Sequence, residues 1–178
     1  SKKADEEYTI FKQHLPKSVQ LTTEGKLHPW DVAYVKNLYK KQYLAVDEKR
    51  ISEYFPMEHT IKGLLAIYEK FFQLRFEQIP ATNLWHQDVQ LIAVRSALDD
   101  TLLGYLLLDL YPRPNKYNHA CHATIVSAII DEHGKPLPEV SLVIANFPKS
   151  TADKPSLLKR DDVRTFFHEF GHAMHGLL

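Results

Sequence analysis

Residues 165–175 read Thr165-Phe166-Phe167-His168-Glu169-Phe170-Gly171-His172-Ala173-Met174-His175. The apolar residues Phe166, Phe170 and Met174 recur every four positions, which predicts an amphipathic helix from Val163 to the end of the chain. Residues four apart lie on one face of a helix, one turn above another. The side chains of His168 and His172 are therefore expected to be able to hold one metal ion between them.

A His-Glu-x-x-His pattern on a helix is typical of a catalytic zinc site. Zinc accepts imidazole nitrogen, and its catalytic sites use three protein ligands and leave the fourth position to water or substrate. We expect one Zn²⁺, held in part by His168 and His172. We expect Glu169 to be the general base, which takes a proton from the water at the metal and passes it to the leaving amine.

Other residues near the pattern are candidates for supporting roles. His175 shares the face of His168, but the metzincin pattern would place a third histidine ligand at position 178, which is Leu178. We expect His175 to support a zinc-binding imidazole or to pack beside it. Asp162 is predicted either to cap the helix or to accept a hydrogen bond from a zinc-binding imidazole. We expect the third zinc ligand downstream, absent from this chain, and the chain to be a segment of a longer protein.

The residues before this helix predict a small sheet. Alternating apolar residues over 89–93 and the apolar run 102–110 flank the turn Asp99-Asp100, which predicts an antiparallel hairpin. Two more strands are predicted over 123–130 and 140–145. The strand over 140–145 is a candidate edge strand, to which an extended peptide would add as a further strand.

The first 80 residues predict helices. Residues 2–27 are interpreted as a short helix and a connection, and Asp31 as the N-cap of a helix that runs through Tyr43. An apolar stripe from Ile61 to Phe76 predicts a helix over about 56–77. The predicted fold class is α+β: amphipathic helices, a small antiparallel-rich sheet, then the His-Glu-x-x-His helix. We interpret residues 1–178 as one partial catalytic domain, with helices over 1–80, the sheet over 81–147, and a loop and the motif helix over 148–178.

Composition excludes several classes of protein. The chain has 178 residues, and its 22 Lys and Arg balance its 22 Asp and Glu, so no net positive charge favours nucleic acid. No apolar run approaches the roughly 20 residues that span a bilayer, so we expect no membrane segment. Cys121 is the single cysteine, which excludes an internal disulfide and favours a reducing, intracellular compartment.

Two further groups of residues have structural interpretations. His119, Cys121 and His122 are close enough in sequence to suggest a second metal site, but in an extended strand their side chains point to opposite faces. We expect no metal there. Asp88, Asp109 and Arg113 are expected in structural ion pairs near the sheet.

Taken together, the sequence resembles the thimet oligopeptidase and neurolysin family of zinc oligopeptidases, which includes oligopeptidase A and the dipeptidyl carboxypeptidases. The resemblance covers nearly the whole chain in order. It rests on Phe167 to His175 and on Pro29-Trp30-Asp31, Glu53-Tyr54-Phe55-Pro56, Trp85-His86-Gln87-Asp88-Val89, Leu108-Asp109-Leu110-Tyr111-Pro112-Arg113, Lys116-Tyr117-Asn118-His119-Ala120 and Lys154-Pro155-Ser156-Leu157-Leu158.

The resemblance implies a mostly helical, two-lobed parent protein with a deep channel and a small sheet beside the active helix. It also implies a cytosolic metalloendopeptidase that hydrolyses short peptides, with zinc held by His168, His172 and a downstream Glu. We expect this chain alone to be inactive without that third ligand. The alternative is a non-catalytic or truncated helical and β module that binds peptide or zinc weakly.

Overall fold

The computed structural model describes residues 2–81, 83–151 and 154–178, which divide into two compact units, Ser1–Glu48 and Lys49–Leu178. In the first unit α1 (Lys2–Gln13) contacts α2 (Pro29–Tyr43), with the ring of Phe11 edge-on to that of Tyr39 at 5.5 Å. The prediction of Asp31 as N-cap was wrong: α2 begins at Pro29 after the N-cap His28. Proline suits the first helical position because its fixed φ is already helical.

The second unit is built on a mixed sheet. Helices α3 (Glu48–Ser52) and α4 (Met57–Phe72) precede the sheet, and α5 (Arg160–Leu177) follows it. The strands are β1 (Leu74–Ile79), β2 (Gln90–Ser96), β3 (Leu102–Asp109), β4 (Cys121–Val126), β5 (Ile129–Ile130), β6 (Pro136–Leu137) and β7 (Glu139–Ile144). The order of the sheet is β1-β2-β3-β7-β4, antiparallel except for the parallel pair β3 and β7, and β5 and β6 form a separate two-stranded ribbon. This confirms the α+β class.

The predicted hairpin is confirmed by β2 and β3. The two strands pair antiparallel, with Ile92 opposite Leu106. The turn between them contains Asp100 at φ 63°, a left-handed conformation that Asp tolerates better than most residues.

The predicted helix over 56–77 was too long. Helix α4 ends at Phe72, because Gln73 adopts the left-handed conformation (φ 54°, ψ 50°) and its N–H bonds the Glu69 carbonyl. Phe76 lies on strand β1, opposite Val94. A spacing of four residues, as between Phe72 and Phe76, places side chains on one face of a helix and also on one face of a strand. The apolar pattern therefore did not mark the helix end.

The two later strands also differ from their predictions. The stretch 123–130 is broken into β4 and β5, and the strand predicted over 140–145 is β7. The prediction of an edge strand at 140–145 was wrong, because β7 pairs with β3 on one side and β4 on the other. In the five-stranded sheet, β4 is the edge strand on this side.

Helices α4 and α5 cover the same face of the sheet and form the main core with it. Leu64 of α4 and Phe170 of α5 are buried in this core with Leu106 and Val143 of the sheet. The opposite face carries a smaller cluster around Val89, Leu107 and Leu142. The side chains of α5 that are buried in the core are Phe166, Phe170, Ala173, Met174 and Leu177.

Asp109 and Arg113 form the expected ion pair, with Arg113 Nη1 2.7 Å from Asp109 Oδ1. The ammonium of Lys116 lies 2.9 Å from the same carboxylate and donates to the carbonyls of Tyr111 and Ala145. Asp88 also forms an ion pair, with Lys149 at 2.6 Å. The Asp109 cluster therefore joins the end of β3 to the residue that follows β7.

Over the residues that the structure describes, no helix is both long enough and apolar enough to cross a bilayer.

Candidate active site

Helix α5 carries the His-Glu-x-x-His residues. It begins at Arg160, three residues earlier than predicted, and Asp162 Oδ2 accepts a hydrogen bond from Lys159 N at 2.9 Å. This bond satisfies a donor at the helix N-terminus, as a capping residue does. Within the described part of the chain, no hydrogen bond joins Asp162 to either imidazole of the motif.

The imidazoles of His168 and His172 converge. Their Nε2 atoms lie 3.2 Å apart, and their rings meet edge-on with centroids 4.7 Å apart. Both residues are exposed, while Phe170 and Ala173 fix the same helix turns in the core. The core packing thus presents both nitrogens toward the same point outside the helix.

The two nitrogens suit a zinc ion. Tetrahedral zinc with bonds of about 2.0–2.1 Å keeps two nitrogen ligands about 3.3 Å apart. The observed separation of 3.2 Å between the Nε2 atoms is close to that value. Two neutral imidazoles supply ligand atoms that zinc prefers, so the donor set of His168 and His172 fits two of the three protein ligands of a catalytic site.

Glu169 lies between the two histidines in sequence and is half-buried. Its Oε2 accepts a hydrogen bond from the backbone N–H of His122, on edge strand β4, at 2.9 Å. Among the residues that the structure describes, its other carboxylate oxygen accepts none. Glu169 and His168 also line a surface groove with Arg164, Thr165 and Phe167, so the carboxylate lies at a surface that a substrate can reach.

His122 was not predicted as a site residue, yet it contacts the motif from β4. Its ring stacks at 6.3 Å on that of His172, and its Nε2 lies 2.9 Å from Ser141 Oγ. Burial lowers the His122 pKa and His172 lowers it further, while the carboxylates of Glu139 and Glu169 act in the opposite direction.

Ser141 and Glu139 continue the hydrogen bonding from His122, and neither residue was predicted from the sequence. Ser141 Oγ donates to Glu139 Oε1 at 2.7 Å, and both residues are buried. The sequence did contain a pattern that could have identified them: Glu139 and Ser141 alternate with apolar residues in a strand, which places both side chains on one face of the sheet. That face packs against α5.

The remaining candidates lie as follows. His175 is exposed, and no hydrogen bond within the described ranges joins it to His168 or His172.

Burial raises the pKa of the Cys121 thiol, and the charge of Glu169 raises that pKa further, which disfavours a thiolate. Across residues 2–81, 83–151 and 154–178, no group of three His, Cys, Asp or Glu side chains is arranged to hold a metal ion.

Comparison with known proteins identifies relatives of the chain. The family model described as Peptidase family M3 matches residues 1–178. Saccharolysin of Saccharomyces cerevisiae is 43% identical over 157 residues, which cover 84% of this chain and 22% of that protein.

Two further relatives have similar coverage. A thimet-like oligopeptidase of Dictyostelium discoideum is 36% identical over 179 residues, 96% of this chain and 26% of that protein. Oligopeptidase A of Escherichia coli is 29% identical over 153 residues, 86% of this chain and 22% of that protein. The chain therefore spans about a quarter of the length of the curated relatives that it matches, and the resemblance to the oligopeptidase family is confirmed.

Proposed function

The chain belongs to peptidase family M3, and on this premise we propose that it is the segment of a zinc oligopeptidase that supplies two zinc ligands and the general base. The observation that carries the proposal is the convergence of His168 Nε2 and His172 Nε2 at 3.2 Å beside Glu169. The substrates proposed for the whole protein are short peptides, the class that the names of the oligopeptidase relatives indicate.

His168 and His172 would hold one Zn²⁺, and a Glu downstream of residue 178 would be the third ligand. When bound, zinc polarises the scissile carbonyl and lowers the pKa of a water in its open position. Because no third ligating side chain lies beside the two imidazoles among the described residues, and a catalytic set has three, we infer that residues 1–178 alone do not hydrolyse peptides. Asp162 and His175 stay candidates for supporting these ligands, with capping the better supported role of Asp162.

Glu169 performs the proton transfers in this proposal. Its carboxylate takes the proton of the attacking water and gives it to the amine that leaves. The hydrogen bond from His122 N–H to Oε2 holds one oxygen in place, which leaves the other oxygen to exchange the proton.

Strand β4 is the proposed surface for the peptide backbone. It is an edge strand of the five-stranded sheet and contacts Glu169 through His122. An extended peptide can add to such an edge through main-chain hydrogen bonds. A substrate bound in this way would lie along the strand that borders the two histidines.

For the whole protein, a reducing cytoplasmic compartment suits a segment whose single cysteine is Cys121.

The test is a Glu169→Gln substitution in the full-length protein, assayed with an internally quenched peptide. Hydrolysis should fall about 10²–10⁴-fold, because the amide cannot accept the proton, while zinc content by elemental analysis is unchanged. The matched control is Glu77→Gln on β1, the opposite edge strand, where Glu77 pairs with Arg95; it should leave hydrolysis unchanged.

Two results would contradict the proposal. Undiminished hydrolysis by Glu169→Gln would remove Glu169 from the mechanism. A full-length, zinc-loaded protein that cleaves no peptide would favour the alternative, a non-catalytic module that binds peptide or zinc weakly.

A further inference from the structure

Three side chains form a hydrogen-bonded chain beneath α5. Glu139 and Ser141 lie on β7 and His122 on β4, with Ser141 Oγ 2.7 Å from Glu139 Oε1 and 2.9 Å from His122 Nε2. Ser141 is fully buried and Glu139 is 7% exposed. A buried polar group without a partner is costly, so these three residues depend on one another.

The direction of the hydrogen bonds follows from the donors available. The Ser141 hydroxyl donates to Glu139 Oε1, and a hydroxyl has only one proton to donate. Ser141 Oγ therefore accepts from His122 Nε2–H. Glu139 sets the orientation of the hydroxyl, and the hydroxyl sets the orientation of the His122 ring.

Glu139 is itself held in place by its surroundings. It pairs with Gly104 in the register of β3 and β7. Its carboxylate lies so close to Gly176 of α5 that a side chain at that position would overlap it. Glu139, at one end of the three hydrogen-bonded residues, is thus held in place by the interior of the sheet and by the backbone of α5.

His122 is at the other end of these three hydrogen-bonded residues, and its strand β4 has fewer contacts within the sheet. In the five-stranded sheet β4 pairs with β7 alone, and the register between them shifts between Thr124 and Val126. A strand with one neighbour has fewer hydrogen bonds to fix its position. His122 is where this strand meets the helix, because its N–H donates to Glu169 Oε2 at 2.9 Å.

We propose that His122 is a positioning residue for peptide hydrolysis: bound through Ser141 to Glu139, it places its own backbone N–H on the carboxylate of Glu169. The inference rests on the proposed function of Glu169 as the general base. The hydrogen bond of the His122 side chain fixes the position of β4, and β4 in turn positions the Glu169 carboxylate through the His122 N–H. Loss of the side-chain bond should therefore impair Glu169 even though the backbone N–H is kept in any variant other than proline.

The first experiment measures hydrogen–deuterium exchange at single amides in the full-length protein. In Ser141→Ala, exchange at the His122 amide should rise about tenfold, while the amides of β7 keep their protection. Ser156→Ala is the matched control, because Ser156 is another buried serine and donates to the Pro148 carbonyl in the loop before α5. It should leave exchange at His122 unchanged.

The second experiment compares two substitutions of His122 in the same protein. Gln carries a side-chain N–H near the position of histidine Nε2 and can donate to Ser141, whereas Leu cannot. His122→Leu should lower kcat about tenfold with KM and zinc content unchanged. His122→Gln should recover most of that loss. Both variants lack the imidazole, so the difference between them does not come from the ring beside His172.

The outcomes separate this inference from the proposed function. Unchanged exchange at His122 in Ser141→Ala, or equal kcat for His122→Gln and His122→Leu, overturns the positioning role while Glu169→Gln still abolishes hydrolysis. Equal losses of kcat in Ser141→Ala and Ser156→Ala overturn it as well, because they indicate a general effect on folding. If Glu169→Gln retains full hydrolysis, the proposed function fails, and the positioning role fails with it.

Discussion

The backbone N–H of His122 and the carboxylate of Glu169 lie 2.9 Å apart, although the two residues are 47 positions apart in the sequence. This bond joins the edge strand β4 to the helix that carries both motif histidines. A change that moves β4 relative to α5 is therefore expected to affect the carboxylate without altering His168 or His172.

Replacement of either motif histidine should remove zinc. His168→Ala or His172→Ala in the full-length protein leaves one of two convergent imidazoles, so zinc retained after dialysis should fall from about one per chain to a small fraction. Elemental analysis measures it. The exposed His133 of the turn after β5 is the control, and His133→Ala should keep its zinc. Full zinc content in both motif variants would show that the metal is held elsewhere.

Asp109→Asn should destabilise the protein. The Asp109 side chain is 4% exposed and that of Lys116 is 3% exposed, so the substitution leaves a buried ammonium without its carboxylate. Such a loss costs about 3–5 kcal/mol, and calorimetry should show a Tm lower by roughly 10 °C. Asp100→Asn is the control, because Asp100 pairs with Arg75 at the surface and such pairs contribute about 0–1 kcal/mol. Equal Tm values for the two variants would contradict a stabilising role of the buried cluster.

The contribution of Asp109 should also depend on pH. Burial alone would raise the Asp109 pKa, but hydrogen bonds from Arg113, Trp85 and Lys116, with the charge of Lys116, hold that pKa well below its usual range. A depressed folded-state pKa stabilises the protein above the unfolded value of about 3.9, and this stability is lost as the pH falls. The Tm difference between wild type and Asp109→Asn should therefore be largest near pH 7 and shrink below about pH 4. A difference that stays constant from pH 7 to pH 3 would contradict the lowered pKa.

Gly104→Ala and Gly63→Ala should have opposite effects on stability. A Cβ at Gly104 would overlap the side chain of Leu177 on α5 and lie 2.7 Å from the Glu139 carbonyl oxygen, whereas nothing lies within 4 Å of a Cβ at Gly63. Overpacking at Gly104 should cost about 1–3 kcal/mol. Alanine inside helix α4 should add about 0.5–1 kcal/mol. Thermal unfolding of the two variants measures both, and a stabilised Gly104→Ala would contradict the close approach of α5 to β3.

Gln73→Gly should stabilise the end of α4. Gln73 lies at φ 54° and ψ 50°, a left-handed conformation that costs a residue with a side chain about 1 kcal/mol and suits glycine. Tm should rise by a few degrees. Gln78→Gly on strand β1 is the control and should lower Tm, because glycine weakens an extended strand. A lower Tm in both variants would indicate that the Gln73 side chain stabilises the turn.

Local patterns in the sequence were sufficient for the elements that depend on local interactions. The recurrence of Phe166, Phe170 and Met174 predicted the face of α5 that is buried. The turn residues Asp99 and Asp100 predicted the hairpin of β2 and β3. In both cases the signal is local in the sequence: the period of the apolar residues for the helix, and turn residues between two apolar stretches for the hairpin.

The pairing of strands that are distant in sequence could not be predicted from such local patterns. β7 is an apolar strand, and its sequence does not say whether one neighbour or two will pair with it. After β3 the chain forms β4 at the edge of the sheet, and it then returns through β5 and β6 to place β7 between β3 and β4. This path gives β7 a parallel partner in β3 and an antiparallel partner in β4. The helix end at Phe72 was missed because Gln73 has no marked preference for a left-handed conformation.

The sequence by itself determined the chemistry available on α5: two imidazoles and a carboxylate on adjacent turns of an amphipathic helix, with a resemblance that pointed to zinc peptidases. Only the tertiary structure decided what holds the carboxylate. The contact comes from a backbone N–H, which every residue except proline possesses, so no residue type in the sequence could mark His122 for it. The pairing of β4 with β7, and the packing of α5 against both, bring that N–H to Glu169.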